Sequence, residues 1–547
     1  MHLALLVLAS LVSSSLQGCP KPSPFFEGQQ IPLSASDAHC EDKYDPFTAG
    51  FDEHVEGVLE KWNTPGLAGY GFADVESKTP VTPYTLFQCA STTKSFIASL
   101  VAIVVQDQDT YKDINWEFPL HNIQPRDFVL TTPYESAEVT FLDALSHRTG
   151  VPRHDFSWII NAIDIQHQTQ ILRHLPPSAP FRTKWQYCNL MYTATTNALQ
   201  VLTGKPIEQI LRKWLLQPLG LQHTYTGVDE AKACKALEPT CIHASQYAWT
   251  NKTAGYVEFP LDVLPAFNGA GGITSNVHDY AIWTRTLMNK AGPVSTEGHD
   301  TIRQPLSWPS YDSGEPFDGA TFYGLGTFGS TYRGHRVFYH NGAIGGFFSR
   351  WTYFPDLQWG FSIMQNAPNY ALDVVGWKLI MDFLDVPEAD RKDMNEHFWT
   401  SVHKAMDATL QEPKKLYPNV PSPPILPSLA PNEYIGTYQH PGYGNITLHL
   451  GYPDDHRVRR QWLDTPTTVV MHLKSDLLGA VAIFHHVSGD HWLVEEKSVD
   501  NFNFEVPTRF IKAKTSIGPD GKVESIFITI EPEVKGDKGW AKFVKLT

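Results

Sequence analysis

The sequence predicts an α+β domain followed by a C-terminal all-β module. Three observations support this prediction. Apolar residues recur at helical spacing after residue 91, seven prolines lie within 413–431, and short stretches of alternating apolar and polar residues follow them. With 547 residues and 42% hydrophobic content, the chain is long enough for two domains with cores of their own. We therefore expect a signal peptide over 1–18, the α+β domain over 19–412, a proline-rich, semi-rigid linker over 413–431 and the β domain over 432–547.

The apolar period predicts a largely buried helix from about Ser91 to Gln106. Residues three apart share a helix face, which places the Lys94 amine beside the Ser91 hydroxyl. The start of a helix also offers unpaired backbone N–H groups that can stabilise an oxyanion. The apolar positions are Phe96, Ile97, Leu100, Val101, Val104 and Val105.

Two further short elements follow, YCN at 187–189 and HNG at 340–342. A buried Lys can lose its proton near neutrality, and so can a Tyr held beside a cation. Either Lys94 or Tyr187 could therefore take the proton of Ser91. The three elements together predict a serine acyl-transfer enzyme.

The same three patterns recur further along, as SVHK at 401–404, YPN at 417–419 and HPG at 440–442. Context separates the two sets. The second Tyr and His lie in or just after the proline-rich stretch, whereas Ser91 begins an amphipathic helix and His340 follows an apolar segment. The first set is therefore favoured.

Two more segments extend the pattern: LSHRTGVP at 145–152 is similar to LLxHTSGLP, and AGGITS at 270–275 is similar to AGGLxS. With them the sequence resembles the serine β-lactamase and penicillin-binding-protein superfamily, in its class-C-like branch of esterases, D-aminopeptidases and transesterases. The resemblance covers about residues 45 to 390. It implies an antiparallel sheet flanked by helices, together with a helical subdomain.

The resemblance also implies roles for individual residues. Ser91 would be the nucleophile, and Lys94 and Tyr187 the general-base pair. Asn189 would contact both the substrate amide and Lys94. The backbone N–H groups of Ser91 and Ala343 would form the oxyanion hole.

The third motif departs from the β-lactamase pattern. His340 replaces the Lys of Lys-Thr-Gly, and His is mostly neutral near pH 7, so a β-lactamase or transpeptidase is less expected. Gly342 is expected to keep the strand clear for substrate. A second departure is Cys188, which together with Cys89 suggests either a disulfide or, as we favour, two small buried hydrophobes.

These features predict a secreted serine hydrolase acting on an ester or on a small or D-configured amide. Acyl transfer at the same site, if an alcohol or amine outcompetes water, is the alternative. A non-catalytic binding protein is the second alternative, but burying a Lys without chemical need is costly.

The resemblance implies a small ester or amide as the substrate, and composition argues against another class of partner. A formal net charge of −15 argues against nucleic-acid binding. No zinc-ligand pattern occurs, and GLGTFG at 324–329, which matches a dinucleotide fingerprint, is not followed by a helix, so no cofactor or metal is expected. The oligomeric state is not predicted.

Residues 1–18 carry the apolar run LALLVLA and indicate a secretory signal, although LQGC at 16–19 also resembles a lipobox that would anchor Cys19 to lipid. No later segment is long enough to span a membrane. Export would permit disulfides, with Cys234–Cys241 favoured and Cys19–Cys40 next. The sequons at Asn251 and Asn445 would be glycosylated only in a eukaryote.

The C-terminal strands are predicted over 446–450, 481–484 and 523–528, with a GPDG turn at 518–521. YIGTY at 434–438 and PGYG at 441–444 are similar to the lipocalin-like domain appended to some relatives. A ligand pocket does not follow from that resemblance.

Overall fold

The computed structural model describes residues 46–161, 163–238, 241–251, 255–259, 265–313, 316–452, 462–463, 469–474, 481–497 and 507–546. The expected signal peptide, Cys19 and Cys40 lie outside these ranges, as does most of the sequon at Asn251. No helix within them is long and apolar enough to cross a membrane.

The first domain is built on one antiparallel sheet, as the resemblance implied. Nine strands pair in the spatial order Thr79–Pro80, Tyr70–Asp74, Gly66–Leu67, Trp359–Gln365, Phe347–Phe354, His335–Ile344, Phe328–Tyr332, Ala320–Tyr323 and Ser307–Ser313. The central strand Trp359–Gln365 is buried along its whole length. Such a strand needs cover on both of its faces.

Helices supply that cover. Neighbouring strand side chains point to opposite faces. Ser362 Oγ lies 2.7 Å from Thr284 Oγ in the helix Val277–Asn289, whereas Phe361 packs against Gly376 in the helix Ala371–Phe383. The remaining helices beside the sheet are Ala49–Trp62, Lys94–Gln106, Thr296–Ile302 and Met394–Leu410.

A mainly helical region lies between residues 107 and 272. Its helices are Leu120–Ile123, Pro133–Glu138, Phe141–Leu145, Phe156–Ile160, Ile165–Gln170, Asn189–Thr203, Ile207–Leu211, Gln217–Leu219, Val228–Leu237 and Asn268–Gly271, with a π-helical turn at Arg212–Leu216. A small sheet of Phe87–Gln88, Ile273–Ser275 and Tyr225–Thr226 joins this region to the turn that carries Ser91, and Gln246–Asn251 forms a hairpin with Gly255–Phe259.

The C-terminal region is a closed antiparallel barrel, which confirms the all-β prediction. Eight strands run in chain order around it, and Tyr438 pairs with Lys545 to join the last strand to the first. Closure leaves no exposed sheet edge. The strands are Gly436–His440, Gly444–Leu450, Val470–Lys474, Val481–Ser488, His491–Lys497, Arg509–Ile517, Val523–Ile528 and Ala541–Lys545.

The segment expected to be a semi-rigid linker, residues 413–431, lies against the barrel. Its first residues belong to the helix Glu412–Leu416, which tolerates Pro413 because the first turn of a helix does not use that N–H group. Beyond this helix the segment lies along the barrel: the Tyr417 hydroxyl donates to the carbonyl of Trp492 at 2.9 Å, and the Ile425 amide donates to Ser488 Oγ at 3.1 Å.

The cysteines follow the favoured predictions. Cys234 and Cys241 form a disulfide with their Cα atoms 6.2 Å apart. Cys89 and Cys188 are buried and unbridged, and burial raises the pKa of each thiol to about 12. They are therefore two small buried hydrophobes, as we favoured.

Candidate active site

Ser91 lies in a tight turn at the start of the buried helix. The turn Ala90–Thr93 is 3₁₀, and the α-helix continues from Lys94 to Gln106, which confirms the predicted helix with a tighter first turn. Ala90 has φ of 47°, a left-handed conformation that is unfavourable for a residue with a Cβ. This kink leaves Ser91 partly exposed while both of its neighbours are buried.

Lys94 is fully buried one turn further on. Its Nζ lies 3.0 Å from Ser91 Oγ, 2.8 Å from Asn189 Oδ1 and 2.7 Å from the carbonyl oxygen of Ala270. A neutral amine has two N–H donors and one lone pair. The two carbonyl oxygens can take the donors, which leaves the lone pair for the Ser91 hydroxyl.

The electrostatics favour that neutral form. Burial lowers the pKa of Lys94 well below its ordinary value, and the Arg153 charge lowers it further. Burial raises the pKa of Tyr187 above its ordinary value, although the Ser91 hydrogen bond and Arg153 oppose the rise. Of the two candidate bases, Lys94 is thus the one poised to accept a proton.

Tyr187 is half-buried and lies directly before the helix Asn189–Thr203. Its ring centroid is 4.8 Å from Lys94 Nζ, and its phenol is hydrogen-bonded to the Ser91 side chain. The structure thus brings Tyr187 to Ser91 and Lys94, which lie one helical turn apart and far from Tyr187 in the chain.

His147 fixes the loop that carries Tyr187. Its carbonyl accepts the amide of Gln186 at 2.7 Å, and its ring Nδ1 accepts the amide of Cys188 at 3.1 Å. The rings of His147 and Tyr187 lie 4.3 Å apart between centroids. Burial lowers the pKa of His147 well below its ordinary value, so His147 acts as a neutral acceptor.

Arg153 and Asp155 form a second layer that the sequence analysis did not single out. Asp155 accepts a hydrogen bond from Arg153 Nε at 2.5 Å and another from Asn189 Nδ2 at 3.0 Å. The Arg153 guanidinium carbon lies 5.0 Å from the Tyr187 ring centroid, and 49% of the Arg153 side chain is exposed. Both residues directly follow the 145–152 segment, the one signal that pointed to them.

His340, the first residue of the third motif, is only 1% exposed. Its Nε2 lies 3.0 Å from the Tyr323 hydroxyl and its Nδ1 lies 2.7 Å from the Asn341 carbonyl oxygen. Burial is the main cause that lowers the pKa of His340 to about 3. The position that holds a permanent cation in β-lactamases is therefore neutral here.

The packing of its strand requires a glycine at Gly342, whereas the expected clearance for substrate stays a prediction. A Cβ at this position would collide with the Cys89 carbonyl oxygen and with Ser349 Oγ. These two groups are joined by a hydrogen bond of 2.6 Å that Ser349 donates. The glycine therefore lets the strand approach the turn that carries Ser91.

Ala343 follows on the same strand and is exposed. The strand pairs with Phe328–Tyr332 only as far as Tyr339, but with Phe347–Phe354 as far as Ile344. Beyond Tyr339, one edge of the strand His335–Ile344 therefore has no neighbouring strand in this sheet. This part of the strand includes Ala343, whose backbone N–H group we predicted to be an oxyanion donor.

The rejected patterns have structural explanations. Ser401 is exposed on the helix Met394–Leu410 and donates to the His397 carbonyl. The glycine-rich segment at 324–329 includes the turn between the strands Ala320–Tyr323 and Phe328–Tyr332. Gly326 packs against the Lys94 carbonyl, where a Cβ would come within 2.6 Å.

The helix-covered antiparallel sheet and the cluster of Ser91, buried Lys94 and Tyr187 define the class: a serine hydrolase. A family model described as Beta-lactamase matches residues 58–384. The chain belongs to this family, within the serine β-lactamase and penicillin-binding-protein superfamily, and is a serine hydrolase of its β-lactamase-related kind.

Two curated relatives and one solved structure illustrate the match. Unguisins hydrolase ungD' of Aspergillus campestris is 31% identical over 526 residues, covering 92% of this chain and 93% of the relative. The D-aminopeptidase of Gluconobacter oxydans is 22% identical over 364 residues, 63% of each chain. The octameric penicillin-binding protein homologue from Pyrococcus abyssi matches in fold with a TM-score of 0.55 at 16% identity, over 91% of this chain and 99% of its own.

Proposed function

We propose that the protein forms an acyl-enzyme on Ser91 while cleaving an ester or a small or D-configured amide. The observation that carries this proposal is the 3.0 Å separation between Ser91 Oγ and Lys94 Nζ. The oxygens of Asn189 and Ala270 can take the two N–H donors of a neutral Lys94, which leaves its lone pair for the Ser91 hydroxyl. A nucleophile with a base in direct reach is the signature of covalent catalysis by a hydroxyl.

In the first step Lys94 takes the proton of Ser91, and Oγ bonds to the substrate carbonyl carbon. The carbonyl π electrons move to oxygen, and the backbone N–H groups of Ser91 and Ala343 stabilise the oxyanion. Asn189 and the Ala270 carbonyl hold the resulting ammonium through their oxygens.

In the second step the oxyanion collapses and the bond to the leaving group breaks. The Tyr187 phenol donates its proton to the leaving nitrogen or oxygen and regains one from Lys94. Its raised pKa keeps the phenol protonated in the resting enzyme, as a donor must be. Water then attacks the ester carbonyl, and the same groups work in reverse to release Ser91.

Substrate preference rests on two supports. Neutral, buried His340 offers no cation to a substrate carboxylate, which disfavours drugs and peptides that are held by that charge. Two relatives are named a D-aminopeptidase and an unguisins hydrolase. Together, the neutral His340 and the names of these relatives favour an ordinary amide substrate over the strained ring amide of a β-lactam.

A substrate panel tests the proposal. Purified protein is offered p-nitrophenyl esters, D-amino-acid and L-amino-acid p-nitroanilides, and nitrocefin, with and without an added alcohol or amine. We expect ester or D-anilide turnover that Ser91→Ala abolishes, and little hydrolysis of nitrocefin. Product acylated on the added alcohol or amine would reveal acyl transfer, and no Ser91-dependent turnover would refute the proposed hydrolysis.

We also propose export and a lipocalin-like barrel. The disulfide Cys234–Cys241 fits an oxidising compartment, and Asn445 is exposed on the strand Gly444–Leu450, where a glycan could be attached. The eight-strand closed barrel fits the lipocalin-like resemblance. Expression in a fungal host tests export: the chain should enter the medium without residues 1–18, and retention inside the cell would refute it.

A further inference from the structure

The C-terminal barrel touches the two loops of the first domain that frame the Ser-Lys-Tyr cluster. One loop contains His154, which lies between Arg153 and Asp155. The other contains Gln186, which directly precedes Tyr187. Each contact joins residues more than 280 positions apart in the chain, so only the folded arrangement of the two domains creates them.

The first contact holds His154 at both its backbone and its ring. The His154 amide donates to Glu531 Oε2 at 2.9 Å, and Nδ1 accepts from the Tyr443 hydroxyl at 2.6 Å. Nε2 donates to the carbonyl of Pro176 at 2.9 Å, within the first domain. His154 and Tyr443 are almost completely buried.

His154 is also conformationally strained. Its φ is 46°, in the left-handed region that is unfavourable for a residue with a Cβ. Such a conformation persists only where surrounding contacts hold it. Two of the four hydrogen bonds of His154 come from the barrel, and the other two are made with the Pro176 carbonyl and the Ser157 amide. Because Arg153 and Asp155 are its immediate neighbours, the barrel also sets the direction in which their side chains leave the backbone.

The second contact holds the other loop. Gln186 Nε2 donates to Glu533 Oε2 at 2.8 Å, and Lys184 Nζ lies 3.5 Å from the same oxygen. Glu531 and Glu533 belong to one short segment after the strand Val523–Ile528, where Glu531 Oε1 accepts the amide of Glu533 at 3.2 Å.

Close backbone approach supports both contacts. A Cβ at Gly442 would come within 2.8 Å of Leu175 Cδ2, and one at Gly444 within 2.8 Å of Asn161 Cβ. Arg509 lies over the Phe156 ring at 5.0 Å and donates to the Ile530 carbonyl, which fixes the segment that holds Glu531.

We propose that the barrel completes the active site, with Glu531 and Tyr443 as positioning residues that act through His154. They fix the Arg153–Asp155 pair, which in turn holds Asn189 and faces Tyr187. This inference rests on the proposed function, because its consequence is a change in the acylation of Ser91.

The test measures kcat and KM of the full chain on p-nitrophenyl acetate and D-alanine p-nitroanilide. Small displacements remote from the reacting atoms can cost up to about 100-fold. We expect Glu531→Ala and Tyr443→Phe to lower kcat by about 10-fold with KM changed less than about 2-fold. Glu531→Gln, whose amide oxygen still accepts the His154 amide, should restore kcat to within about 3-fold of wild type.

Two matched barrel variants serve as controls. Tyr438→Phe removes a buried hydroxyl that donates to the Tyr434 carbonyl, and Glu524→Ala removes a surface carboxylate near Lys542. Neither touches the first-domain loops, so both should keep wild-type kcat. Equal kcat for Tyr443→Phe and Tyr438→Phe would overturn the proposal, and so would failure of Glu531→Gln to exceed Glu531→Ala.

A double-mutant cycle separates positioning from general destabilisation. If Glu531 acts through Asp155, then Glu531→Ala should lower kcat by less than about 2-fold in an Asp155→Asn background. The same 10-fold loss in both backgrounds would contradict the proposal. A wild type that turns over neither probe would overturn the proposed function as well, whereas an active wild type with unaffected variants would overturn this inference alone.

Discussion

His147 holds Tyr187 from both sides in the chain: its carbonyl accepts the amide of the preceding residue, and its ring accepts the amide of the following one. The phenol of Tyr187 therefore reaches Ser91 from a loop that a buried histidine has fixed. A general acid or base must lie within hydrogen-bond reach of the proton it transfers, so the proposed role of Tyr187 depends on this backbone arrangement.

Replacing His147 by Phe tests that relationship. The ring would still pack, but the buried Cys188 amide would lose its acceptor, which costs about 1 to 3 kcal/mol of the free energy of unfolding. We expect kcat to fall by about 10-fold because the Tyr187 loop loosens. Urea denaturation and turnover measure the two effects. His299→Phe, which removes another buried ring bonded to a carbonyl, should destabilise without lowering kcat, and equal kcat in the two variants would contradict the role.

Tyr187→Phe is expected to lower the acylation rate by about 100-fold or more, the usual scale for losing a proton-transfer group. The matched control is Tyr192→Phe, since the Tyr192 hydroxyl donates to the Leu145 carbonyl at 2.7 Å rather than to Ser91. Stopped-flow measurement of the p-nitrophenol burst gives the acylation rate. An unchanged burst in Tyr187→Phe would refute its role.

The pH dependence of kcat/KM reports the protonation of Lys94. The base must be neutral to act, so activity should rise as pH rises through the Lys94 pKa and then level off. Because burial lowers that pKa, the rise should be complete well below the ordinary Lys value of 10.5. Arg153→Ala removes a cation that lowers the pKa, so it should shift the rise to higher pH. A rise centred near 10.5 in the wild type would contradict a neutral Lys94.

Gly342→Ala should lower the free energy of unfolding of the protein. Its Cβ would press on the Cys89 carbonyl, and overpacking of this kind costs about 1 to 3 kcal/mol of the free energy of unfolding. Gly57→Ala is the control, because its Cβ meets nothing within 4 Å on the helix Ala49–Trp62 and should stabilise by about 0.5 to 1 kcal/mol. Thermal unfolding compares them, and an equal or higher Tm in Gly342→Ala would contradict the packing argument.

The parts of the site that lie on regular elements could be predicted from sequence. Ser91 and Lys94 are one helical turn apart, and the apolar period after them fixes that helix. Tyr187 and His340 have no such local link to Ser91. They were placed by resemblance to a family whose motifs recur in the same order, and the structure brings Tyr187 to Ser91.

The second layer could not be predicted, for a physical reason. Arg153 and Asp155 lie in a segment whose conformation depends on contacts from the barrel, and no hydrophobic period or turn signal encodes contacts across hundreds of residues. Proline density over 413–431 likewise predicts a semi-rigid linker, but it does not predict the surface on which that segment lies.

Covalent labelling of Ser91 tests the central claim most directly. The full chain is treated with a fluorophosphonate probe, and the adduct is located by mass spectrometry of the intact protein and its peptides. The account predicts a single adduct on the peptide that contains Ser91, and none in Ser91→Ala. An adduct that persists in Ser91→Ala, or a wild type that takes up no probe, would show that this hydroxyl is not the nucleophile.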